Sequence, residues 1–372
     1  MSRAFARLSA LLPAYLTGPF AAAATPPAAP VNSPHPPPAR MASTTATAAT
    51  GAEVNNTPEQ WRQELAALPS LDQLGGTMPT IFLAHGQPML ITPPRLAAAR
   101  GGPLGTIQGP EGLLSQFLRD LGPVLIDKYS PRAIVVLSAH WETPGGGVTT
   151  DYGDENPLLM DYFGFPDELY QVEFKSHGDR KVAERVVELL QGAGITSSRL
   201  TNKLEARGED GRGFQGPGLD HGVFVPFIKM FNGVAPLPII QVSIPSDLRP
   251  EAQYALGAAL APLRKEGVLV ISGGLTVHTF RDFSAFSPET AKPQYRAWEK
   301  SIVDAVAVEE PEARRRALFN LVHHPAFRAA HPREEHFVPL YIAQGAGSEG
   351  GGPAGARMVC GLWGAKTVVF GV

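Results

Sequence analysis

The sequence predicts an α/β domain over residues 57–372, with one central, mostly parallel or mixed sheet covered by helices on both faces. Two patterns predict it. Short apolar segments alternate with segments of helical period, the order that builds parallel sheets with crossover helices. Several of these short segments ("IFLA", "AIVVL", "VLVI") are apolar at every position rather than every second one, as strands buried on both faces are. No internal repeat breaks this order.

A first helix is predicted at "TPEQWRQELAAL", with Thr57 as N-cap, Pro58 at the first helical position, and Glu59 and Gln60 in the first turn. The strand "PTIFLA" (79–84) follows and runs into His85-Gly86. "EGLLSQFLRDLG" has helical spacing, and "AIVVLSA" is the next strand, ending at His140. "RKVAERVVELLQGAG" sets Val182, Val186, Leu189 and Leu190 on one face and stops at glycine, which marks an amphipathic helix. "HGVFVPFIKMF" reads as an apolar helix disturbed by Pro226. "PLPIIQVSI" is a strand, "RPEAQYALGAALAPLRKEG" a helix, and "VLVISGG" a strand leading towards His278. Helices over 291–307 and 310–320, a short buried helix in "HFVPLYIAQGAG" and two closing strands in "ARMVCGLWGAKTVVFG" complete the domain. The Gly-rich stretch 345–356 is expected to be a flexible loop. It lacks the Lys-Ser/Thr of a phosphate-binding loop and opens no helix.

A net charge of −3 provides no strong field for nucleic acid or an anionic membrane, and neither is expected as a partner. Nor does any stretch reach the roughly 18 apolar residues of a membrane span. The single cysteine, Cys360, excludes a disulfide framework and a thiolate zinc site. Any metal must be held by histidine and carboxylate, and ten histidines make that feasible. The first 52 residues contain no Asp or Glu, and their only charges are Arg3, Arg7 and Arg40. Large apolar residues are too few there to offset ordering entropy, so residues 1–56 are expected to form a disordered leader. An acid-free, Arg-containing start also suits a targeting segment, for a mitochondrion or plastid; otherwise the cytoplasm is the expected location.

The histidines form a pattern. His85, His140 and His278 each follow a predicted strand, and open α/β sheets place ligands outside the carboxyl ends of their strands. His221 and His336 stand at turns into apolar segments. One histidine at a strand end is ordinarily a hydrogen-bonded structural residue; five in such settings point to a site. Neutral imidazole suits iron, zinc, copper and nickel. The others are weaker candidates: His35 lies in the leader, His177 in a polar turn, and His323, His324 and His331 in a loop that could approach substrate.

Seven blocks in order, "FLAHGQPML", "AIVVLSAHWET", "DYFGFPDELYQVEF", "GLDHGVFVPFIKMF", "QVSI", "ISGGLTVHTFRDF" and "HPREEHFVPLYIAQGAG", resemble the class III extradiol ring-cleavage dioxygenases. Within that LigB superfamily they resemble the 4,5-DOPA dioxygenase extradiol group, over residues 78–372. The resemblance implies His85, His140 and His336 as ligands of one divalent metal, Fe(II) for turnover or Zn(II). It implies His278 as the acid/base residue, described in some members as a further metal contact, and His221 as a residue touching substrate. The substrates implied are a catechol and O2; no oligomeric state is implied. Ferrous iron would supply both templating and redox chemistry, zinc only the templating.

The chain departs from the group's pattern at Gln87, where serine is usual, and in the insertion 208–218 and the long segment 91–130, which are expected to reshape the pocket. His336 takes a slot filled by a carboxylate in the wider superfamily. Neighbouring helical residues point about 100° apart, so Glu335 is not expected to share the ion with His336. Glu142, Asp161 and Asp220 are candidates for holding the second nitrogen of the ligand histidines. Tyr162 and Phe163 are candidates for stacking on the catechol, or for an ordinary packed turn. Two other functions are kept beside this one: a zinc-dependent hydrolase, and a non-enzymatic metal- or peptide-binding protein.

Overall fold

A computed structural model of the chain describes residues 56–97, 103–202, 214 and 216–372. Residues 1–55 of the leader, with His35, residues 98–102 of the segment 91–130, and residues 208–213 and 215 of the insertion lie outside the described residues. Within the unit Thr50–Val372, the described residues contain eight strands in one mixed sheet. They are β1 Thr80–Ala84, β2 Ala133–Thr143, β3 Val148–Asp151, β4 Arg199–Asn202, β5 Ile239–Pro245, β6 Val268–Gly274, β7 Ala356–Cys360 and β8 Thr367–Phe370, in the order β4-β3-β5-β2-β6-β1-β8-β7. The middle four, β5-β2-β6-β1, run parallel. β8 is antiparallel to β1, and β3 to β5. Their shared direction puts the carboxyl ends of β1, β2 and β6, where the sequence places histidines, side by side.

Helices of ten or more residues among those described are α1 Pro58–Ala67, α2 Leu113–Tyr129, α3 Arg180–Gly192, α4 His221–Phe231, α5 Pro250–Leu260, α6 Pro293–Val306, α7 Pro311–Asn320 and α8 Pro339–Ser348. Successive strand residues point to opposite faces. Val135, Leu137, Val268 and Val270 face the core formed with α3, α5, α6 and α8. Ile134, Val136, Leu269 and Ile271 face the core formed with α1, α2 and α4. That two-sided burial is why these strands are apolar throughout, each such side chain contributing roughly 1.5–3 kcal/mol. α5 and α8 cross at glycine: a Cβ on Gly257 would lie 2.1 Å from the Ile342 carbonyl oxygen, and one on Gly345 2.2 Å from that of Tyr254.

The capping box at Thr57 and Gln60 forms as expected. Four features differ from the sequence reading. α2 continues through Pro123 to Tyr129; the proline sits on the exposed face, where water can serve the Arg119 carbonyl it leaves unbonded. β3 and β4 have four residues each and no apolar run, so their membership of the sheet is a matter of pairing, not pattern. α8 extends to Ser348, so the Gly-rich stretch begins as helix rather than loop. His336 precedes α8 in a turn, so the 100° argument about Glu335 does not apply to it. Cys360 is buried, and burial pushes its thiol up to about 12. Among the described residues, no helix is long and apolar enough to cross a membrane.

Candidate metal centre

His85 directly follows β1. Its backbone N–H donates to the Gly274 carbonyl at the end of β6 (3.1 Å), and its Nδ1 lies 2.7 Å from the Gly86 carbonyl. A carbonyl only accepts, so Nδ1 carries the proton and Nε2 keeps its lone pair.

His140 is not at the end of its strand, as the sequence suggested. β2 continues to Thr143, and its pairing with β5 breaks after Leu137 and resumes at Glu142. Between those points, residues 138–141 oppose only Ser243. A bulge of this kind re-aims a side chain, and here it buries the imidazole completely.

His336 enters from the other end of the chain. The Leu275 N–H bonds its carbonyl at 2.8 Å, close against Gly274, where a Cβ would lie 2.3 Å from that oxygen. Gly274, the second glycine of "SGG", is therefore space for the His336 backbone.

These three imidazoles converge. All are buried, and each offers a nitrogen within 4.8 Å of the others. Ring centroids are 4.8 Å (85–140), 5.3 Å (85–336) and 5.0 Å (140–336) apart. The His140 and His336 Nε2 atoms lie 3.0 Å apart. Two imidazoles on one ion, at about 2.0–2.1 Å each, would hold their nitrogens about 3 Å apart.

The surrounding groups favour a cation. Glu335 Oε1 lies 3.0 Å from His336 Nδ1, which fixes that proton and leaves Nε2 as the lone-pair nitrogen. His140 would then have to donate through Nε2, turning its Nδ1 lone pair towards Asp220 Oδ1 (3.5 Å) and Asp161 Oδ2 (3.6 Å). A cation between the two Nε2 atoms removes that conflict. It also compensates two carboxylates that are almost wholly buried. The donor set fits one divalent transition metal.

His221 is the first residue of α4, whose N-cap is Asp220. Its backbone N–H and Nδ1 both bond Asp161 Oδ1, at 2.9 and 2.7 Å, and its ring stacks on His140 with centroids 4.0 Å apart. Nε2 is the nitrogen left for a ligand. His278 stacks on His336 at 3.5 Å with planes 14° apart; its side chain is 17% exposed, in contrast to the buried three. It belongs to a different close group, with Glu335 and His336, not to the triangle of 85, 140 and 336.

Of the three suggested outer carboxylates, Asp220 and Asp161 lie near a proposed ligand, 3.5 and 3.6 Å from His140 Nδ1, but hydrogen-bond other groups at 3.0 Å or less. Asp220 accepts from Ser138 Oγ (2.7 Å), the Gly222 N–H (2.9 Å) and Gln241 Nε2, and Asp161 holds His221. Glu142 is a correction: both its oxygens pair with Arg333. The carboxylate hydrogen-bonded to one of the three converging imidazoles is instead Glu335, on His336. Tyr162 is packed, edge-on to His221 at 5.6 Å, with its hydroxyl donating to the Leu169 carbonyl and its phenol raised far above the usual range by burial. Phe163 is 59% exposed.

The loop histidines go elsewhere. His331 is buried beside Trp298, Phe327 and Phe337, donates Nε2–H to the Thr276 carbonyl (2.9 Å), and is lowered to about 4 by burial. His324 accepts the Ala326 N–H and packs on Trp298. His323 lines a surface cleft of about 760 Å³ with Arg249 and Arg315, and His177 is exposed.

Gly222 marks how tightly α4 is set against this centre. A Cβ there would lie 2.6 Å from Ser138 Oγ, 2.9 Å from His140 Nδ1 and 3.1 Å from Asp220 Oδ1. Gly222→Ala is expected to displace His140 and weaken zinc binding roughly 10–100-fold, read by chelator competition. Unchanged affinity would mean that the imidazole is not held where it lies.

The family described as the catalytic LigB subunit of aromatic ring-opening dioxygenase matches residues 81–371. The 4,5-DOPA dioxygenase extradiol-like protein of Schizosaccharomyces pombe is 40% identical over 315 residues, 84% of this chain and 97% of that protein. The 4,5-DOPA dioxygenase extradiol of Beta vulgaris is 31% identical over 272 residues, 73% of this chain and 87% of that protein. The crystal structure of an uncharacterized protein from Escherichia coli K12 shares the fold, with a TM-score of 0.53 at 24% identity, covering 79% of this chain and 100% of that one. By the span of the family match and the identity to these relatives, the chain belongs to the LigB family of class III extradiol ring-cleavage dioxygenases.

Proposed function

We propose that this protein opens the ring of a catechol with a DOPA-like side chain, beside the diol, and places both atoms of O2 in a muconic semialdehyde-type product. Membership of a family of aromatic ring-opening dioxygenases supports a small molecule and O2 as substrates. The relatives' names support the catechol. The observation that carries the reading is the convergence of His85, His140 and His336 on one point, with two buried carboxylates behind them. They would hold one divalent metal; ferrous iron there supplies templating and electron transfer to oxygen, zinc only the first.

The remaining roles fall to this chain's own groups. His278, partly exposed beside His336, takes a hydroxyl proton from the catechol at Nε2 and returns it during ring opening. His221, with Nδ1 committed to Asp161, offers Nε2 to orient a substrate oxygen. Burial of the three proposed ligands keeps bulk water from that side of the site. The family relationship does not favour the hydrolase or the non-enzymatic binding alternative.

The test is direct. Apo-protein is loaded with ferrous iron without oxygen, mixed with catechol, DOPA or dopamine, and then given air. Oxygen uptake matched to the appearance of a yellow product is expected with iron and not with zinc. Absence of uptake with every catechol would falsify the proposal.

A further inference from the structure

Glu335 lies between the two imidazoles to which the proposed function gives different tasks. Its Oε1 is 3.0 Å from His336 Nδ1 and 3.8 Å from His278 Nδ1. Its Oε2 is 3.4 Å from an Arg333 guanidinium nitrogen. Arg333 in turn grips both oxygens of Glu142 on β2, two residues beyond His140. One carboxylate thus faces both stacked rings and is tied by an arginine to the strand that carries a third histidine.

The stack alone leaves something undetermined. Two imidazoles 3.5 Å apart and 14° from parallel make no hydrogen bond through their faces. An imidazole is nearly symmetric in outline, so turning the ring over is sterically cheap, yet it exchanges Nδ1 with Cδ2 and Nε2 with Cε1. At His336 that puts carbon where the proposed ligand nitrogen must be. At His278 it moves the nitrogen that handles the proton. An acceptor beside both Nδ1 atoms breaks the symmetry for both rings.

We infer that Glu335 is a positioning residue shared by the metal site and the acid/base site: it accepts Nδ1–H of His336 at 3.0 Å, and its charge, 3.8 Å from His278 Nδ1 and beyond hydrogen-bond reach, favours the proton at that nitrogen, so that both Nε2 atoms face the reacting space. The Arg333–Glu142 pair keeps the carboxylate from swinging away. This rests on the roles proposed above for His336 and His278, but its first readout needs no turnover.

Glu335→Leu, which keeps bulk and removes the acceptor, is compared with Glu335→Gln, which keeps one acceptor oxygen. Zinc affinity of the apo-proteins is measured by chelator competition. Ring tautomers are read by nitrogen NMR on the zinc-loaded, histidine-labelled proteins. Glu335→Leu is expected to weaken zinc about 10–100-fold and to lose the fixed Nδ1–H form of His278, with Glu335→Gln recovering part of both. Parental zinc affinity in Glu335→Leu overturns the inference. So does an intact His278 tautomer, which would confine the carboxylate to His336. Equal losses in both variants, with lowered melting of the apo-proteins, also overturn it, as general damage. If the leucine variant does not fold, the glutamine variant decides alone: it must bind zinc more weakly while melting like the parent, or the inference fails. If the parent protein shows no oxygen uptake but these shifts occur, the positioning role stands and only the reaction assigned above falls.

Discussion

His140→Ala is expected to reduce metal content to background and to take turnover with it. His140 is the most connected of the three proposed ligands. Its Nε2 meets that of His336 at 3.0 Å, its ring lies 4.8 Å from that of His85, and His221 stacks on its face. Alanine removes a ligand nitrogen, and it also removes the ring that separates Asp161 and Asp220 from the metal position. Two buried carboxylates then face a void. The cavity left by a fully buried ring costs packing energy, so the metal-free variant should also melt measurably lower than the parent apo-protein. The loss of affinity should exceed the roughly 10–100-fold of an outer-partner change such as Gly222→Ala. Metal analysis of protein purified without oxygen decides it. A stoichiometric ion in the variant would remove His140 from the ligand set.

His278→Ala is expected to retain the metal and lose turnover. Its ring lies outside the triangle of His85, His140 and His336 and is the most solvent-accessible of these four. Deleting a positioned acid/base group typically lowers kcat by about 10²–10⁴-fold. Zinc affinity should change little, because the stack on His336 contributes contact but no lone pair to the site. The alternative role for this residue, a further metal contact, gives the opposite pattern. Loss of metal together with turnover would make His278 a ligand. Normal turnover would leave the proton with another group, and His221, whose Nδ1 is bound to Asp161, is a candidate.

Much of the site was legible in the sequence because its parts are local. The apolar run 81–84 ends in His85, and "VLVISGG" leads to His278, so a strand followed by an imidazole was visible at each. Asp220 could be read as the residue before a helix and proves to be its N-cap. The failures have a common cause. Glu142 is one of the candidates for holding the second nitrogen of a ligand histidine, but Arg333, 191 residues distant, claims it. The helical angle between Glu335 and His336 does not hold, because both lie in a turn. His140 was assigned to a strand exit because polar residues follow it; the bulge opposite Ser243 keeps the strand going and buries them. His331 resembled the other loop histidines, and only its aromatic surroundings show it to be a core residue.

The amino-acid sequence by itself determined the α/β class, most element positions and the family, because periodicity, caps and motif blocks are properties of neighbouring residues. Tertiary structure alone decided which imidazole meets which carboxylate. His140 and His336 are 196 residues apart and face one another only because the order β5-β2-β6-β1 sets the relevant strand ends in one crevice. A hydrogen bond or a metal ligand depends on differences of a few tenths of an ångström, and no sequence period encodes distance at that scale.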